Sequence, residues 1–140
     1  MPTLQIGNMT MPTSSKLKKV VLNLARTREH PDGSIRHGYE IVAPLDESGK
    51  IDTEAWKARK GLCVVHRFWG NEPRQRGQLV HRAGGPGGST WAFDYDAGNT
   101  DDDEAGYRFG QHAFIEGEYV SIRDDEGELQ TLKIIRVTDA

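Results

Sequence analysis

Apolar and polar residues alternate with a period of two in run after run of this chain, and turn-forming residues separate the runs. On a strand every second side chain points the same way, so each such run presents one apolar face. Val20, Leu22 and Leu24 alternate with Lys19, Val21 and Asn23; after His30-Pro31-Asp32-Gly33-Ser34 the pattern resumes at Tyr39, Ile41 and Ala43. Proline presets φ and glycine accepts a positive φ, so the two runs read as an antiparallel hairpin. Leu62 to Trp69 carries apolar residues in both phases and predicts a central strand. Gln78 to Arg82, Trp91 to Tyr95, Phe114 to Ile122 and Leu129 to Val137 complete about seven strands.

One helix interrupts the pattern. Asp52 is placed to cap the segment running to Lys60, Ile51 and Trp56 stand at the two positions of a hydrophobic staple, and Gly61 offers a stop. Its two turns are too short to stand alone, so Trp56 is expected to pin them to the sheet. The fold class that follows is all-β and mainly antiparallel, closed as a small barrel or a two-layer sandwich with one short helix. Residues 16–140 form a single β domain, with Val20, Leu22, Leu24, Ile41, Val64, Phe68, Trp91, Phe93, Val120, Ile122, Leu132 and Ile134 as its core. Met1 to Ser15 has no sustained period and is expected to be a disordered tail.

Composition narrows the function classes. The 140 residues suit one domain, and the single cysteine, Cys63, excludes an intrachain disulfide. Cys63 sits in the apolar run Leu62-Cys63-Val64-Val65 and reads as a small core residue. No secretory leader and no stretch of membrane-spanning length is visible, so the expected location is the cytoplasm, without a membrane partner. The net charge of −3 is unevenly distributed: 14 basic residues stand against 8 acidic ones up to Arg82, and 4 against 13 beyond it. Such asymmetry permits a protein partner or a homo-oligomer held by charge.

Two constellations carry chemistry. Val65-His66-Arg67 recurs as Val80-His81-Arg82. A hairpin centred between Glu72 and Gln75 would place His66 opposite His81, close enough for one divalent metal, with His112 as a third ligand. Asp94 stands behind these as a further ligand; separately, Asp94 and Asp96 open an acidic run like a calcium loop, although Gly98 and Ala105 stand where that loop requires ligands. The second constellation is Arg67, Trp69, Arg74, Arg76 and Arg82, basic residues interleaved with aromatics that could stack single-stranded nucleic acid or a partner. The overall acidity argues against nucleic acid. Gly84 to Ser89 lacks the ending of a phosphate loop and leads into a strand, which makes it a connection. Nothing in the sequence gathers a catalytic set, so the expected function is a non-catalytic binding or interaction module, with a metal-binding protein or metalloenzyme as the alternative.

Overall fold

The computed structural model describes residues 15–81, 91–95, 104–107, 109–124 and 126–140. Its strands are β1 (Lys16–Leu24), β2 (Ser34–Leu45), β3 (Val64–Trp69), β4 (Gln75–His81), β5 (Trp91–Asp94), β6 (Glu104–Tyr107), β7 (Tyr119–Arg123) and β8 (Leu129–Asp139). Each pairs antiparallel with the next, and β8 pairs with β1, which closes an up-and-down barrel of eight strands. Closure leaves no unpaired sheet edge, the problem that either expected architecture had to solve.

The eighth strand corrects the expected count. β6 lies at the end of the acidic run taken as a loop, where a glutamate and a glycine occupy the positions at which alternation would show apolar side chains. The expected strand from Phe114 begins instead at Tyr119, after a turn-rich connection. At the start of β3 the buried phase belongs to Cys63, just before the strand, and Val65, while Val64 and Phe68, expected in the core, are only half-buried. The other ten expected core residues are buried. The tail falls on residues 1–14, which lie outside the described residues, whereas Ser15 is buried and donates from Oγ to Asp52 at 2.7 Å.

Connections on an up-and-down barrel alternate between its two ends. At one end the chain from β2 to β3 carries helix α1 (Thr53–Ala58), shorter than expected, followed by a 3-10 turn at Lys60–Leu62. Asp52 caps α1 by accepting from the Ala55 N–H at 3.1 Å. Trp56 lies beneath it, buried, with its indole N–H on the Leu79 carbonyl at 2.9 Å. The connection from β6 to β7 closes the same end: Phe109 and Phe114 are buried, and the Phe114 N–H bonds the Gly49 carbonyl at 2.7 Å. A Cβ at Gly106 would lie 2.5 Å from the Phe109 ring, so this position must be bare for the plug to seat. Aromatic rings here meet edge to face, Trp56 on Trp91 at 5.2 Å and Phe109 on Phe114 at 5.1 Å. No helix among the described residues is long and apolar enough to cross a membrane.

Candidate functional site

The opposite end is built differently. It is framed by the β1–β2 turn, the β3–β4 turn and the β7–β8 turn, and it opens into a cavity of about 400 Å³ inside the barrel. The inner-facing positions change character along each strand. In β2 the buried series Leu45, Ala43 and Ile41 ends in Tyr39. In β3 Val65 gives way to Arg67 and Trp69, and in β5 Trp91 and Phe93 are followed by Tyr95. β6 contributes Glu104.

These side chains meet. Glu104 is 3 % exposed and accepts from the Tyr95 hydroxyl on Oε1 at 2.7 Å and from the Tyr39 hydroxyl on Oε2 at 3.0 Å. Arg67 Nε lies 3.6 Å from Glu104 Oε2. The same guanidinium reaches Glu72 Oε1 from Nη1 at 3.2 Å and lies over the Trp69 ring, 4.6 Å from its centroid. A buried carboxylate carries a large desolvation cost unless charge and hydrogen bonds compensate it, and here both do. Gly77 makes the arrangement possible, because a Cβ there would come within 2.8 Å of the Tyr95 ring.

Burial and the neighbouring Glu104 charge push the Tyr39 and Tyr95 hydroxyls far above the usual phenol range. Both therefore stay protonated and act as fixed donors. Desolvation works against the Arg67 charge, but the attraction of Glu104, followed by the hydrogen bond to Glu72, raises its pKa. At the rim, His37 holds Ser34 Oγ at 2.7 Å through Nδ1 and meets the Trp69 ring edge-on at 4.9 Å.

The histidines expected to share a metal are not brought together. In β3 and β4 His66 stands opposite Arg76, five residues along β4 from His81. His66 is on the outer phase of β3, whereas His81 is on the inner phase of β4, tilted against the Trp91 ring at 4.5 Å. The expected register fails because β3 already ends at Trp69 and Gly70 turns the chain at φ 59°, earlier than a hairpin centred past Glu72 requires. His112 lies in the β6–β7 connection, and Asp94 is at the end of β5 opposite Gln78. Among the described residues, the one group of three potential metal ligands within 4.8 Å of one another is Asp124, Glu126 and Glu128, in the β7–β8 turn.

The basic and aromatic set is divided by the barrel wall. Arg67 and Trp69 face inward, while Arg74 and Arg76 are exposed outside, Arg74 lying over the outer-facing Phe68 and bonded to Glu40 at 2.8 Å. Arg82 lies outside the described residues. Cys63 is buried, and burial pushes its thiol up to about 11, the state of an inert core residue.

Sequence reasoning missed Tyr39, Tyr95 and Glu104 as a set. One signal was present: Arg67 shares its phase with the apolar Val65 and Trp69, and Tyr95 continues the series from Trp91 and Phe93. Comparison with protein families, with curated proteins and with solved structures finds no match to this chain.

Proposed function

We propose that this chain is a non-catalytic binding protein that takes a small polar ligand in the open end of its barrel. One observation carries the reading: Glu104 and Tyr39, buried, and Tyr95 and Arg67, half-buried, form a polar floor beneath an open cavity of about 400 Å³. An eight-stranded barrel is narrow enough to be filled by its own side chains, and this one is so filled at its other end. Leaving the second end unfilled, and lining it with oriented donors and acceptors, is how a site for one small molecule is made. The cavity volume lies within the range of such sites, roughly 300–1,000 Å³.

The character of the groups favours holding over proton transfer. The phenols stay protonated and Arg67 stays charged through the physiological range, so each presents a constant face to a ligand.

A thermal-shift screen of small polar compounds against the full chain tests the proposal. Ligands of the native state raise the melting temperature in proportion to their saturation. Hits should lose at least tenfold in affinity in Tyr95→Phe and keep it in Arg76→Ala. A screen without hits, or hits indifferent to Tyr95→Phe, would remove the cavity as the site.

A further inference from the structure

We infer that the ligand of this cavity is a small organic cation, an amine, quaternary ammonium or guanidinium compound. This rests on the reading of the open end as a ligand site and names the charge that the site selects.

Among the described residues the lining holds one basic side chain, Arg67, against five carboxylates: Glu72, Glu104, Asp124, Glu126 and Glu128. Arg67 is already engaged. Glu104 and Glu72 flank it at 3.6 and 3.2 Å, the Gln75 carbonyl oxygen accepts from Nη1 at 3.5 Å, and Trp69 covers one face of the guanidinium. An incoming anion would have to displace these partners and would then face the remaining carboxylates. Asp124, Glu126 and Glu128 make no ion pair with the described residues, and their oxygens converge within 4.8 Å. Like charges so placed repel, and a cation seated at the mouth relieves the repulsion.

The shape of the site separates an organic cation from a metal ion. Both Asp124 oxygens are already engaged, Oδ1 by the backbone N–H groups of Glu126 and Glu128 at 3.0 and 2.8 Å and Oδ2 by the Gln130 side-chain amide at 3.3 Å. Behind the carboxylates lies the cavity of about 400 Å³, more than ten times the liquid volume of a water molecule. Its walls include Tyr39, Tyr95 and Trp69. Aromatic faces attract cations, and Arg67 over Trp69 is an instance of that attraction within the site itself. A cationic head among the carboxylates with an apolar stem directed toward the rings would use both parts.

The test compares three probes with one four-carbon stem: 1,4-diaminobutane, 1,4-butanediol and succinate. Each is titrated into the full chain by calorimetry, with calcium chloride alone as a fourth titrant. The expected result is a dissociation constant for the diamine at least tenfold below those of the diol and succinate. It should rise at least tenfold in the Glu126→Gln/Glu128→Gln variant and rise as salt is added. Both positions are exposed, and an unchanged melting temperature checks that the variant folds as the parent does. Tighter binding of the diol or succinate, lost in Tyr95→Phe, would overturn the cationic preference while leaving the cavity as the binding site. Calcium binding lost in the double variant, without diamine binding, would replace the organic cation with a metal ion. No binding of the diamine at 10 mM overturns the inference, and an empty library screen beside it would overturn the binding site as well.

Discussion

The two ends of this barrel share the same strands and the same antiparallel wall, yet they solve opposite problems. At the helix end the buried interior is apolar among the described residues, and Trp56, Trp91, Phe93, Phe109 and Phe114 close it by edge-on ring contacts. At the open end the same strands turn inward an arginine, two tyrosines and a glutamate. Packing of the first kind supplies stability through buried apolar surface and needs no charge to be matched. The second kind holds oriented polar groups away from bulk water, an arrangement that contributes little net stability and offers a ligand preorganised partners. The division of labour runs along the strands, so a change of character two residues further along one strand moves a side chain from core to site.

That contrast makes the helix end the place of largest stability loss. Trp91→Ala removes a side chain that is 2 % exposed and touches Trp56. It should lower the unfolding free energy by about 3–5 kcal/mol, the usual cost of emptying a large aromatic site. Urea unfolding followed by circular dichroism measures it. A loss below about 1 kcal/mol would mean that the helix end collapses around the gap and is no better packed than the mouth.

The open end should behave as a charge network. Glu104→Gln keeps the shape but removes the charge facing Arg67, and should cost about 1–3 kcal/mol. The paired change Arg67→Met/Glu104→Leu, made on a Tyr39→Phe/Tyr95→Phe background so that no hydroxyl loses its acceptor, should recover most of that loss, because well-packed apolar residues commonly replace a buried polar cluster without penalty. Ligand binding, by contrast, should be absent in the paired variant. Recovered stability together with retained binding would break the comparison, since it would make the polar floor dispensable for both roles.

How legible each end was follows the same division. The helix end announced itself locally: the Asp52 cap and the Trp91-Phe93 alternation are patterns of a few adjacent residues, and the structure contains both, with Ile51 and Trp56 each buried as well. The Pro31-Asp32-Gly33 turn was equally local, with Gly33 at φ 77°. The open end depends on residues far apart in sequence, Glu104 lying 65 positions from Tyr39, and on a register that composition does not reveal. β3 hid its inner phase because both of its faces carry apolar residues, so Arg67 read as surface. β6 was hidden more completely: an inward glutamate at the end of an acidic run carries the polarity of a loop, and only the pairing of Ala105 with Arg123 and Ala92 shows that it is wall.

The smallest expected effect concerns pH, and it should also belong to the mouth and not to the packed end. The His37 pKa is held below its usual 6.5 first by burial and then by the positive charges of His30, Arg36 and Arg67, with Glu72 pulling the other way. In the unfolded chain this ring takes up its proton near 6.5; in the folded chain it does so only at lower pH. Between the two values the unfolded state binds more protons, so stability falls as pH drops below about 6.5 and levels off once the folded ring is itself protonated. His66, on the outer wall, is lowered in the same direction by burial and by Arg74, and adds to the slope. Urea midpoints measured from pH 7.5 to pH 5 should therefore decline, and less steeply in His37→Gln than in the parent chain. Proton resonances of the His37 ring, followed across the same range, should titrate with a midpoint below 6.5. A midpoint above 6.5 would mean that Glu72 outweighs the three cations at the rim, and would reverse the sign of the His37 contribution.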